Sequence, residues 1–148
     1  MTKGENTYYY IYDGLGDVVA VTDEAGQTIQ TYNYDAFGNV IATTGTLDNP
    51  YQFVGGYDCQ DDGVGLIYMR ARYYAPETGR FISRDPILGN AYNPLSLNRY
   101  LYVENSPTNW VDPTGLLVEL CTRPIRWAGQ STPFDHCYIC LLYTSPSP

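Results

Sequence analysis

A repeated unit, two apolar segments hinged on Asp and Gly, constrains this chain more than any other feature. Tyr10-Ile11-Tyr12-Asp13-Gly14-Leu15-Gly16 runs into Asp17-Val18-Val19-Ala20-Val21-Thr22. The pattern returns at Tyr32-Asn33-Tyr34-Asp35-Ala36-Phe37-Gly38, followed by Asn39-Val40-Ile41-Ala42, with Tyr12 and Tyr34 22 residues apart. Each unit reads as strand, tight turn, strand, because an Asp side chain bonds nearby backbone and Gly tolerates positive φ. A further turn falls at Asp23-Glu24-Ala25-Gly26. Alternation through Gln30-Thr31-Tyr32-Asn33-Tyr34 sets Tyr32 and Tyr34 on one face of a strand.

A third, degenerate unit begins at Phe53-Val54-Gly55-Gly56-Tyr57-Asp58 and turns at Asp61-Asp62-Gly63-Val64-Gly65. The pattern predicts one strand from Leu66 to Tyr74, with Ile67, Met69, Ala71 and Tyr73 facing one way and Tyr68, Arg70, Arg72 and Tyr74 the other. A turn at Ala75-Pro76-Glu77-Thr78-Gly79 leads to a strand from Arg80 to Ser83. From Pro86 to Asn109 the pattern loosens into Asn-rich loops, with one short helical turn expected near Leu97 to Tyr102.

The chain has 148 residues, including 16 Tyr, 14 Gly and 10 Pro, and only 16% of it is charged. Tyr suits half-buried pleated surfaces and Gly and Pro mark turns, so the expected fold is all-β: short strands in antiparallel hairpins. The formal net charge of -8 makes the main body a poor ligand for phosphate backbones and anionic membranes. No apolar run approaches the roughly 20 residues of a membrane span. The opening MTKGENTYYY lacks the apolar centre of a secretory signal, as expected of a fragment whose Met1 is an internal Met or a gene-caller's choice.

The stretch from Tyr68 to Leu116 reads YMRARYYAPETGRFISRDPI, continues through NRYLYVENSPTNWVDPTGL, and is followed by an abrupt change of character. These residues resemble the end of the core domain of Rhs-type, YD-repeat proteins, over roughly residues 8–116. The resemblance implies hairpins that build the end of a spiralling β-sheet shell, with a short irregular plug-like segment near its close. It also implies that the DPxGL motif, here Asp112-Pro113-Thr114-Gly115-Leu116, borders an unrelated C-terminal toxin. Residues 1–116 then form the core and 117–139 the truncated start of the toxin. Residues 140–148, CLLYTSPSP, match in one frame the translation of a transposase adapter used in sequencing libraries. They are set aside as a scar.

Members of that family cut themselves after DPxGL with a pair of carboxylates supported by an Arg. By position, the resemblance assigns Asp85 and Asp112 to the pair, Arg72 to the Arg, and Leu116–Leu117 to the scissile bond. The chemistry suits these residue types. Two close carboxylates hold one proton between them, so one activates water and the other polarises the carbonyl. An Arg lowers a carboxylate pKa or stabilises an oxyanion. Both acids precede Pro, which is equally a turn signature. Arg70, Arg80 and Arg84 compete with Arg72, and any of these can be solvated or paired with Glu77.

The implied protein is part of a toxin container, secreted or delivered to the cell surface in competition between bacteria. Its implied partners are its own C-terminal toxin, an immunity protein and secretion machinery. The alternative is a YD-repeat scaffold or carbohydrate-binding module of a wall-associated or adhesion protein. Runs such as Tyr8-Tyr9-Tyr10 and Tyr73-Tyr74 suit a sugar platform, but cross-strand wall packing explains them more simply. Trp110 reads as a core anchor. His136-Cys137-x-x-Cys140 has metal-ligand spacing, which lapses if Cys140 belongs to the scar. Cys121 and His136 are weak candidates for a nucleophile and base. No cofactor or metal is expected in the core, and Cys59 alone gives no disulfide framework.

Overall fold

The computed structural model of the chain describes residues 2–3, 6–89, 91–116 and 119–120. Leu117, Cys121, His136, Cys137, Cys140 and nearly all of the expected toxin start and adapter scar lie outside the described residues. Among the described residues every extended element pairs antiparallel and there is no α-helix.

A short ladder of β1 (Thr2–Lys3) and β2 (Asn6–Thr7) precedes the first sheet. That sheet is a meander of β3 (Tyr9–Tyr12), β4 (Val18–Thr22), β5 (Thr28–Tyr34) and β6 (Val40–Thr44). The second sheet contains β7 (Gln60–Asp61), β8 (Ile67–Met69), β9 (Arg72–Ala75) and β10 (Arg80–Phe81). Finally, β11 (Trp110–Val111) pairs with β12 (Glu119–Leu120) across the DPTGL segment.

One turn design recurs. Asp13 Oδ1 accepts hydrogen bonds from the amides of Leu15 and Asp17, and Asp35 Oδ1 from those of Phe37 and Asn39, all at 2.9–3.0 Å. The fourth residue of each turn, Gly16 or Gly38, takes a φ of +84° or +91°, where a side chain is strained. A Cβ on Gly38 would stand 2.5 Å from the Phe53 ring, so this glycine serves both conformation and packing.

The same turns bind the first sheet to the connecting segment and to the second sheet. Asp17 Oδ1 accepts from the Val54 amide at 2.6 Å, and the Val18 amide donates to the Gln52 carbonyl at 3.0 Å. One unit later, Asn39 Nδ2 donates to the Pro76 carbonyl at 3.1 Å, and the Tyr74 hydroxyl to the Phe37 carbonyl at 2.7 Å. Beneath these joints lies the larger core, which includes Phe53, Met69, Tyr74, Phe81, Tyr102 and Val111. Val18, Val21 and Tyr32 form a smaller cluster under the first sheet.

The strand expected from Leu66 to Tyr74 is broken. The chain reverses at Arg70-Ala71, so that β8 and β9 form a hairpin with Met69 opposite Arg72. Arg70 takes a φ of 54° without being Gly or Asn, and the Ala71 amide is held by the Thr114 carbonyl at 3.1 Å. The reversal resets the alternation. Ile67, Met69, Arg72 and Tyr74 turn inward, whereas Tyr68 and Tyr73 face out. Arg72 therefore enters the interior, where an unbroken strand would have set it opposite Ile67 and Met69.

The helical turn expected near Leu97 to Tyr102 is also displaced. Single 3₁₀ turns flank that stretch, at Pro94–Leu97 and Val103–Asn105. In the second, Val103, Glu104 and Asn105 all have positive φ, from 41° to 59°. That left-handed course is held by tertiary packing around buried Tyr102 and Val103 and is not encoded by glycine.

Candidate functional site

Four segments distant in sequence meet around the Arg72 side chain. Arg72 Nη2 lies 2.9 Å from Asp85 Oδ2 and 3.4 Å from Asp112 Oδ2. Its Nη1 donates to the Arg99 carbonyl at 3.2 Å, and its Nε donates to the Gly115 carbonyl. The face of the guanidinium rests on the Phe81 ring, with Cζ 3.5 Å from the ring centroid. Arg72 and Asp112 are buried, and the Asp85 side chain is 17% exposed. Thus Arg72, Asp85, Asp112 and the backbone next to Leu116 come together. The competing Arg70, Arg80 and Arg84 are exposed; Arg70 pairs loosely with Asp58 at 3.9 Å and donates to the Tyr57 carbonyl at 3.1 Å.

Each acid is anchored through its other oxygen. Asp112 Oδ1 accepts from the Leu116 amide at 3.1 Å and from the Thr114 hydroxyl at 3.3 Å. Asp85 Oδ1 accepts from the Ile87 amide at 2.8 Å, while the Asp85 amide donates to the Arg99 carbonyl at 2.9 Å. In both acids Oδ2 is the oxygen turned toward Arg72.

The DPTGL motif is itself a copy of the repeat turn. Asp112 bonds the amide four residues on, as Asp13, Asp23, Asp35 and Asp62 do at 2.8–3.0 Å. Its glycine, Gly115, has φ +71°, alongside +77° to +91° in the other four turns. A Cβ there would stand 2.5 Å from the Met69 carbonyl oxygen. The shared Asp-x-x-Gly-x spacing is legible in the sequence, and it would have identified Asp112 as a turn-capping residue.

Burial pulls the Arg72 pKa below its ordinary value, opposed by Asp85 and Asp112, and a guanidinium remains charged. Its Nη2 stands against both carboxylates from a buried position.

Sequence reasoning did not find Phe81, the Arg99 carbonyl or the Gly115 carbonyl as Arg72 partners. Backbone carbonyls carry no residue signature, and the Phe81 contact depends on the unforeseen hairpin. Trp110 is half-buried and packs on the larger core. Cys59 lies with Sγ 3.8 Å from the Pro113 carbonyl oxygen, and burial pushes its pKa up to about 12; at neutral pH it is an inert thiol. Among the described residues no group of His, Cys, Asp and Glu is arranged to hold a metal ion. Nor is any described helix long and apolar enough to cross a membrane. The outward Tyr68 and Tyr73 rings lie 5.2 Å apart and tilted by 51°, a cross-strand pair.

Residues 1–108 match the family model described as Teneurin YD-shell. The tRNA3(Ser)-specific nuclease WapA of Bacillus spizizenii is 41% identical over 77% of this chain. Toxin protein Tse5 of Pseudomonas aeruginosa is 38% identical over 76%, and double-stranded DNA deaminase toxin A of Burkholderia cenocepacia 37% over 88%. The chain spans only 5%, 8% and 9% of these relatives' lengths, respectively. A crystal structure of TcdB2-TccC3 superposes with a TM-score of 0.67 at 28% identity, covering 78% of this chain and 5% of that one.

Proposed function

Because this chain belongs to the Teneurin YD-shell family of Rhs/YD-repeat proteins, we propose that it forms the closing part of a shell that encloses a C-terminal toxin and frees it by self-cleavage. The chain covers a small share of its relatives, so encapsulation is a property of the longer parent. Secretion or surface delivery, an immunity protein and a toxin beginning after Leu116 belong to the same proposal. Relatives named as a nuclease, a toxin and a deaminase toxin support it.

The observation that carries the self-cleavage reading is Arg72 Nη2 facing both carboxylates beside the DPTGL turn. With one proton shared between Asp85 and Asp112, the ionised member removes a proton from water as the water oxygen bonds to the Leu116 carbonyl carbon. The protonated member donates to the carbonyl oxygen, giving a tetrahedral gem-diol. Its collapse breaks the bond to the Leu117 nitrogen, which takes up a proton, and leaves a Leu116 carboxyl. Arg72 holds both Oδ2 atoms toward one point, and Asp112 Oδ1 fixes the amide of the residue whose carbonyl is attacked. Intact mass of the parent, with and without Asp85→Asn and Asp112→Asn, tests this reading.

A scaffold reading has its own support, since both acids already cap backbone amides, at Leu116 and Ile87. On that reading the Arg72 cluster only ties the last hairpin to the wall, and the parent stays whole.

A further inference from the structure

We infer that Phe81 is a positioning residue that holds the Arg72 guanidinium in the plane from which Nη2 reaches both carboxylates. This inference rests on the self-cleavage reading. Phe81 pairs with Tyr74 across β9 and β10, and Arg72 lies two residues before Tyr74 on the same face, so ring and guanidinium are diagonal cross-strand neighbours.

The ring is itself fixed. Phe81 is 3% exposed, with Tyr74 and Tyr102 edge-on to it at 5.7 and 5.9 Å. The Gly115 and Arg99 carbonyls hold Nε and Nη1 within the guanidinium plane, but neither restrains tilting out of it. The ring closes one face and attracts the cation through its π cloud, away from water. A tilt toward that face meets the ring, and a tilt away gives up the attraction. Both movements would take Nη2 away from Asp85 and Asp112. The catalytic candidates would remain in place while the charge that tunes them drifted.

Replacing Phe81 with mono-, di- and trifluorinated phenylalanine in the full-length parent tests this. These rings keep nearly the same shape and progressively weaken the π cloud, so folding is retained. Self-cleavage is followed by mass across pH, with Phe81→Leu and, as a core control in the separate smaller cluster, Val21→Ala alongside. We expect cleavage to slow stepwise with fluorination, by about tenfold at the trifluoro ring. The pH profile should change at each step, because the charge facing both carboxylates is held less firmly. Val21→Ala should leave the pH profile unchanged. A parent that cleaves with rate and pH profile indifferent to fluorination overturns the role of Phe81 alone. A parent that never cleaves overturns the self-cleavage reading, and this inference with it.

Discussion

The amide of Leu116 is capped by Asp112 Oδ1 at 3.1 Å. The acid proposed to drive the cut therefore also fixes the backbone of the residue before the cut. It does so with the device that Asp13 and Asp35 use to turn the repeats. A catalytic role for Asp112 would thus require no new loop, only a repeat turn whose spare oxygen meets a buried Arg and a second acid.

Arg72 compensates a buried charge, and its removal has a definite cost. Arg72→Ala removes the guanidinium that faces the Asp112 carboxylate, which is 1% exposed. We expect a loss of about 3–5 kcal/mol at neutral pH. Arg72→Lys recovers charge but not the fork to Arg99 and Gly115, so it restores only part. Urea midpoints of the parent sequence and both variants at neutral pH measure this.

Two glycines of similar backbone geometry should respond differently to a methyl group. Gly26 has φ +77° and open space where a Cβ would stand, whereas Gly115 has φ +71° and the Met69 carbonyl oxygen 2.5 Å from that position. Gly26→Ala should cost about 1 kcal/mol, the left-handed penalty alone. Gly115→Ala should cost at least about 2–3 kcal/mol, and it should abolish self-cleavage in the parent because the turn must shift. Thermal melts of the two variants separate these contributions.

Two buried tyrosines offer a matched contrast. The Tyr74 hydroxyl bonds the Phe37 carbonyl, whereas the Tyr102 hydroxyl has no hydrogen-bond partner among the described residues. Tyr74→Phe should destabilise by about 1 kcal/mol, and Tyr102→Phe should be neutral or stabilising. Equilibrium denaturation reads both.

Asp17 makes stability depend on pH. Burial, chiefly, pushes its pKa from 3.8 up to about 7. Below the unfolded pKa both states are protonated and stability is full. Between there and about 7 the unfolded chain has lost a proton that the folded chain keeps, so stability falls as pH rises. The total is roughly 2–4 kcal/mol. Asp17→Asn, which places here the residue type found at the matching Asn39, should flatten that slope. Urea midpoints from pH 4 to 8 show it.

The repeat turns, the all-β class and the acids beside Pro were legible because local chemistry dictates them. Asp and Gly at fixed spacing make a turn wherever they occur, and alternation sets Tyr32 inward. The β8–β9 reversal was not legible, because Arg70 has no turn signature and is held in positive φ by tertiary bonds from Ala71 and from its own side chain to Tyr57. The candidate site was visible only as separate motifs. Arg72 reaches the interior through that reversal, and its Phe81 and carbonyl partners follow from it. The left-handed turn at Val103–Asn105 was hidden for the same reason: packing imposes it on Val103 and Glu104, and of the three residues only Asn105 is of a type that favours positive φ.

The most direct measurement is the intact mass of the full-length parent, beside its Asp85→Asn and Asp112→Asn variants. The account predicts a parent cut between Leu116 and Leu117 and two variants that remain whole. A parent that stays whole, or variants that are cut as the parent is, would contradict it and leave the Arg72 cluster as a structural tie in a YD-repeat wall.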